Sequence, residues 1–268
     1  MPTDRVGNFL EPEIITTDIV PPVAVTPQPK KNIWGGWATF GLGVIIFAVY
    51  FAAQTAVAVF YAFSWLFTHE GDIDINSIME LATNGDLISV ATIISGIFGI
   101  GFIILFIKIR KGAGFREYLG LNAFSAKKFF ITFAVIITLF FLLSYGLQFL
   151  NVPDDDAFTL DAYRTVTWLP LLWIAVAIFA PAFEESFFRG FLFVGFLNSR
   201  LGAVGAVALT AIAWALLHIQ YSVFGIVTIF ILGVALGIIR LKTKSLWITI
   251  ILHSLWNIAA LVATALSV

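Results

Sequence analysis

The chain has 268 residues, of which 60% are hydrophobic and only 12% are charged. Soluble globular domains carry about 45–50% apolar residues, so this composition excludes an ordinary soluble domain and predicts a polytopic membrane protein. The net charge of -1 argues against nucleic acid as a partner, and the absence of cysteine excludes disulfides, thiolate metal sites and a cysteine nucleophile.

Residues 1–32 differ from the rest of the chain because they combine scattered acidic residues with six prolines and contain no apolar span. Such a segment cannot bury a core, so we expect a flexible proline-rich tail. The hydrophobic region begins only after Lys31, and we therefore expect no cleavable signal peptide. The predicted division is a tail at 1–32 and a membrane-embedded helical domain at 33–268.

Seven apolar runs follow the tail. A helix needs roughly 20 residues to cross a hydrocarbon core of about 30 Å, and the runs are continuous rather than alternating, which favours helices over a β-barrel. The predicted fold is an all-α bundle of about seven transmembrane helices, within a range of six to eight, enclosing an intramembrane polar cavity. The runs lie at about 34–66, 87–109, 128–150, 168–189, 203–219, 222–240 and 246–267.

The loops between these runs divide by charge. Basic residues concentrate at 108–128 and 240–244, whereas acidic residues concentrate at 68–86 and 151–164. Because basic loops stay in the cytoplasm, we expect a multi-pass protein of the cell membrane with a cytoplasmic N-terminal tail. A metal site at Asp154–Asp156 is an alternative to the solvated acidic loop that we favour.

Three charged residues interrupt the fourth apolar run, in the stretch "AFEESFFRGF" at 182–191. A charge at the bilayer centre costs about 2.5–3.5 kcal/mol on insertion scales, so these side chains indicate a functional site. Arg189 follows Glu185 by four residues, the spacing of a helical ion pair, which leaves Glu184 as a candidate general base. The alternative is that Arg189 snorkels to the cytoplasmic interface and both glutamates are interfacial.

Two further motifs place polar residues four apart on apolar helices. "WALLHIQ" contains Trp214 and His218, and "LHSLWNIAA" contains His253 and Asn257. A carboxylate that deprotonates water, imidazoles that orient it or bind a metal, and an amide that donates to an oxyanion together suit amide hydrolysis. For His218 alone, a hydrogen bond between helices is an equally good interpretation.

In order and spacing, "EESFFR", "WALLH" and "HSLWN" resemble the three motifs of the CPBP family, also called the ABI family, over about residues 168–260. This family joins the type II CAAX prenyl endopeptidases and the bacteriocin-processing proteins. The sequence departs from the family at Trp214, where the family usually has phenylalanine. The resemblance implies an intramembrane endopeptidase that acts on membrane-associated peptide or protein substrates, including prenylated CAAX-type substrates, within the lipid bilayer.

The resemblance also implies roles for the motif residues. Glu184 would activate water with the help of His218, while His253 and Asn257 would stabilise the oxyanion and the Glu185–Arg189 pair would support the geometry. A metal such as zinc, bound by Glu184, His218 and His253, is an alternative to the metal-independent glutamate mechanism that we favour, which requires no cofactor.

Two other classes of function stay open at this point. A non-catalytic membrane scaffold or bacteriocin-immunity protein would use the polar residues to hold helices together. An ion-coupled transporter would use the buried glutamates and histidines as proton relays. Neither a natural substrate nor an oligomeric state is specified by the sequence.

The predicted depths of Glu184 and His253 agree, but the predicted depth of His218 does not. Glu184 is expected near the cytoplasmic end of its run, and His253 lies about two turns from the cytoplasmic end of the last run. His218 closes the fifth run and should therefore lie toward the outer face. One common site requires that the fifth helix be tilted, re-entrant or bounded differently.

Overall fold

The computed structural model describes residues 33–68, 75–112, 114–152 and 157–268. The proline-rich tail predicted at 1–32 and the Asp154–Asp156 segment of the acidic loop lie outside the described residues. Within these ranges the chain is helical and contains no strand, so the all-α prediction is confirmed.

Helices account for most of the described chain. They are α1 (Gly36–Thr68), α2 (Ile75–Ala82), α3 (Gly85–Ile109), α4 (Phe115–Leu119), α5 (Ala126–Phe149), α6 (Ala157–Thr165), α7 (Leu169–Leu197), α8 (Gly202–Leu216), α9 (Val223–Thr243) and α10 (Leu246–Ser267). Two segments within α7, Ala175–Phe179 and Ser186–Leu192, have the wider π-helical turn.

Six of these helices are long and apolar enough to cross a membrane, namely α1, α3, α5, α7, α9 and α10. The protein is therefore an integral multi-pass membrane protein. The fifth predicted run forms α8, which has only 15 residues. At 1.5 Å per residue it covers roughly 22 Å, less than the hydrocarbon core of about 30 Å.

The short α8 changes the expected depth of His218. The helix ends at Leu216, and His218 lies in the turn that leads to α9 at Val223. A helix of 15 residues that begins at one face of the membrane ends before the opposite face. Of the alternatives raised by the sequence, a different helix boundary is the one found.

The fourth predicted run ends at 189, but α7 continues to Leu197. The residues after Arg189, "GFLFVGFL", are apolar, and the helix continues through them with π-helical turns to Leu192 and α-helical turns from Phe193. The expectation that Glu184 lies near the end of its span is therefore wrong, because it lies near the middle of α7. The arginine does not mark the membrane interface, since its charge is balanced inside the protein by Glu185.

Half of an apolar 18-residue stretch of α7 is buried, the largest share among the six long helices, and this helix forms the centre of the bundle. Helices α1 and α3 pack against it on one side, while α8, α9 and α10 also contact it. The largest buried side chains along α7 include Phe188, Phe191 and Phe193. The first motif therefore lies on α7 itself, and the other two lie on α8 with the turn after it and on α10, both of which contact α7.

Arg240 occupies a position that the sequence analysis assigned to a basic cytoplasmic loop, but it lies on α9 and is only 6% exposed. Its Nε donates to the Arg189 carbonyl at 3.1 Å, and its Nη2 donates to the Leu119 carbonyl at 3.0 Å. Gly120 has a φ of +68°, and a Cβ there would collide with the Arg240 guanidinium. Glycine at 120 is thus required by both the turn and the close approach.

Candidate active site

The predicted ion pair between Glu185 and Arg189 is confirmed, with Nη1 and Oε1 3.0 Å apart. Both side chains have no exposed surface. Arg189 also donates from Nη2 to the Gly233 carbonyl on α9 at 3.1 Å. Its guanidinium carbon lies 4.4 Å from the centroid of the Trp214 ring, which is the geometry of a cation–π contact.

Glu184 differs from its neighbour because 18% of its side chain is exposed. Its Oε2 accepts a short hydrogen bond from the indole Nε1 of Trp214 and lies 4.0 Å from Nε2 of His253. These polar contacts with described residues use Oε2, so Oε1 is the oxygen left to contact water or substrate. Glu184 therefore has the exposure that a general base needs, whereas Glu185 does not.

His253 lies between the two glutamates and is 3% exposed. Its Nδ1 is 3.0 Å from Oε1 of Glu185, the oxygen that also contacts Arg189. An ionised carboxylate only accepts hydrogen bonds, so this contact assigns the proton to Nδ1. Nε2 is consequently the nitrogen that faces Glu184.

His218 joins the site indirectly. Its ring lies perpendicular to the Trp214 ring with centroids 5.3 Å apart, and the side chain is half-buried. Nδ1 is 2.8 Å from the Trp214 carbonyl, and because a carbonyl only accepts, Nδ1 carries a proton. The described residues show no hydrogen bond or ion pair between His218 and Glu184.

The Asn257 side chain binds the backbone of another helix, a structural contact that the sequence did not indicate. Its Nδ2 donates to the Val176 carbonyl on α7 at 2.8 Å. Val176 lies in the first π-helical segment, where the backbone donor for its carbonyl would be residue 181. That residue is Pro181, which has no N–H, so the Asn257 amide replaces the missing donor.

Tyr50 is a residue of this region that the sequence analysis did not select. Its ring stacks on Phe183, next to Glu184 in the chain, with centroids 4.1 Å apart and planes 6° from parallel. The hydroxyl accepts a hydrogen bond from Gln54 at 3.2 Å. The signal that could have revealed Tyr50 is the polar pair that it forms with Gln54 in an otherwise apolar run.

The alternative metal site does not fit this arrangement. Among the described residues, no group of three or more His, Asp and Glu side chains is placed to hold a metal ion. Of the three predicted ligands, Glu184 and His253 approach each other, whereas the side-chain contacts of His218 within the described part of the chain are with Trp214 and Tyr221.

Comparison with protein families matches residues 166–259, about a third of the chain, to the family described as Type II CAAX prenyl endopeptidase Rce1-like. No curated protein and no solved structure matches the chain. The matched segment contains all three motifs and most of α7 to α10. The resemblance predicted from the motifs is thus confirmed, and residues 166–259 of this membrane protein are similar to a family of CAAX-type proteases, the Rce1-like endopeptidases.

Proposed function

We propose that this protein is an intramembrane endopeptidase in which Glu184 activates the water that cleaves a peptide bond. The observation that carries the proposal is the contrast between the two adjacent glutamates. Glu185 is fully buried and neutralised by Arg189, whereas Glu184 is partly exposed and has one carboxylate oxygen uncommitted. A general base must reach its water, and only Glu184 meets that condition.

In the proposed reaction, Oε1 of Glu184 takes a proton from water as the water oxygen attacks the carbonyl carbon of the scissile bond. The carbonyl π electrons move to oxygen and form a tetrahedral oxyanion. When this intermediate collapses, the C–N bond breaks, and the protonated Glu184 returns its proton to the leaving nitrogen. The products are a free carboxylic acid and an amine, and the enzyme is regenerated.

His253 is proposed to stabilise the oxyanion through Nε2. This role needs the doubly protonated ring, because Nδ1 already donates to Glu185. His218 is proposed to help orient the water, and any oxyanion role of Asn257 falls to its second N–H, because the first contacts Val176.

The proposed substrates are membrane-associated peptides, including prenylated CAAX-type peptides. The Rce1-like segment supports this class, and the burial of the site among apolar helices favours a substrate delivered from the bilayer. We further propose that the basic ends of α3 and α9 face the cytoplasm.

The test is cleavage of a prenylated CAAX peptide by the purified protein in proteoliposomes, with products identified by mass spectrometry. Glu184→Gln should abolish cleavage because the amide cannot accept the proton, while Glu117→Gln, which alters an exposed glutamate of α4, should leave it unchanged. Unchanged cleavage by Glu184→Gln would refute the proposal. An unprenylated peptide in parallel measures whether the lipid is required.

A further inference from the structure

Trp214 is the point at which the groups of the candidate site meet. Its side chain is 2% exposed, although it lies on the short α8 rather than on the central helix. The indole ring contacts His218 and His253 edge-on, with centroids 5.3 and 5.0 Å away. It also lies 4.4 Å from the Arg189 guanidinium and donates to Glu184.

The contact with Glu184 has a chemical consequence. The indole Nε1 has a single hydrogen and no lone pair to offer, so it can only donate. Among the described residues it is the hydrogen-bond donor to the Glu184 carboxylate, and it engages Oε2 alone. The bond therefore limits rotation of the carboxylate and directs Oε1 away from the indole. A phenylalanine ring at this position would provide no such donor.

The surroundings of Trp214 hold the ring in one orientation. Gly233 on α9 lies so close that an added Cβ would be 3.1 Å from the indole Cε3. Arg189 contacts the ring and is itself fixed by Glu185 and by the Gly233 carbonyl. The N–H therefore points at Glu184 from a site with little freedom, which is the preorganisation that a catalytic carboxylate benefits from.

We propose that Trp214 is a positioning residue, which holds Oε2 of Glu184 so that Oε1 faces the water to be deprotonated. This inference rests on the proposed function, since it assigns Glu184 the role of general base. It adds a specific requirement for the indole N–H, beyond the space that an aromatic ring fills. The buried Glu185–Arg189 pair contributes because the Arg189 guanidinium packs on the indole ring and restricts its movement.

Two variants test the requirement for the N–H, and the second of them keeps the size of the ring. Trp214→Phe removes both the donor and part of the ring, whereas 3-benzothienylalanine at position 214 keeps the ring size and replaces N–H by sulfur. Both should lower kcat by about 10- to 100-fold and leave KM within about twofold, because binding does not use this bond. Trp247→Phe, at a partly exposed tryptophan of α10, is the matched control and should retain full activity.

A readout independent of activity tests the hydrogen bond itself. In tryptophan-labelled protein, the Nε1–H proton of Trp214 should resonate downfield and move upfield in Glu184→Gln, while the Trp247 resonance stays in place. A benzothienylalanine variant with kcat within about twofold of the wild-type value, or an unmoved Trp214 resonance, would overturn the inference. If Glu184→Gln itself remains active, the proposed function fails instead.

Discussion

Glu185 and His253 are joined by a 3.0 Å contact between Oε1 and Nδ1, although 68 residues separate them in the chain. The same oxygen contacts Arg189 Nη1 at 3.0 Å. One carboxylate oxygen therefore links α7 to α10 and sets the orientation of the imidazole that faces Glu184. Because all three side chains are buried, the loss of any one leaves a partner without its counter-charge or hydrogen bond.

Arg189→Ala should destabilise the protein strongly, because it leaves the Glu185 carboxylate buried without its counter-charge. Removal of one partner from a buried ion pair typically costs about 3–5 kcal/mol. We expect a lower thermal unfolding temperature in detergent and faster proteolysis of the folded state. Arg200→Ala, which changes an exposed arginine after the end of α7, should have little effect. Equal stability of the two variants would contradict the importance of the buried pair.

Asn257→Ala should reduce stability, because the Val176 carbonyl would lose its donor within a helix that contains Pro181. An unsatisfied buried polar group costs about 1–3 kcal/mol. Adding Pro181→Ala restores a backbone N–H near that carbonyl, so the double variant should recover part of the loss. The measurement is thermal unfolding of the two single variants and the double variant.

The same variants distinguish two roles for Asn257. If the amide acts only on the oxyanion, Asn257→Ala should lose activity without losing stability, and Pro181→Ala should rescue neither. Rescue of stability without rescue of cleavage would mean that the second N–H also serves the reaction. If Pro181→Ala leaves the stability loss unchanged, the Asn257 amide does not replace a missing backbone donor to the Val176 carbonyl.

Much of this site follows from residue spacing. The four-residue interval between Glu185 and Arg189 predicts their ion pair, and all seven apolar runs correspond to helices. The family resemblance also implies that Glu184 and His253 act at one site, and Oε2 of Glu184 lies 4.0 Å from Nε2 of His253. These features can be predicted because helical periodicity sets which residues of one segment lie side by side, and because a charge buried in a membrane protein needs a partner.

Other features depend on contacts that spacing does not encode. The donor role of Asn257 depends on a proline in one helix and an amide 76 positions later in another. Arg240 adjoins Lys242 and Lys244, so charge counting assigns it to a loop, although its side chain turns inward to backbone carbonyls. The length of α8 was also missed, because apolar composition continues through the turn that ends it.

Arg240→Ala should weaken the attachment of α4 to α7. The two backbone carbonyls that Arg240 contacts belong to Leu119 and Arg189, so both would be left without this donor. At about 1–3 kcal/mol for each unsatisfied buried group, the loss should be visible as a lower unfolding temperature. Lys242→Ala, two residues along α9 and exposed, is the matched control. Equal unfolding temperatures would show that the contacts of Arg240 contribute nothing to stability.

Tyr118 of α4 provides a prediction about pH, because it lies outside the membrane-spanning helices and is only 4% exposed. Burial raises the pKa of its phenol from 10.0 to about 12. The folded state therefore favours the neutral phenol. The resulting contribution to the free energy of unfolding is fully present below pH 10 and is lost as the pH rises to about 12. Two pKa units correspond to about 3 kcal/mol of unfolding free energy. Phenolate absorbance of the wild type minus that of Tyr118→Phe should show the late titration, and a phenol that ionises near pH 10 would contradict the burial.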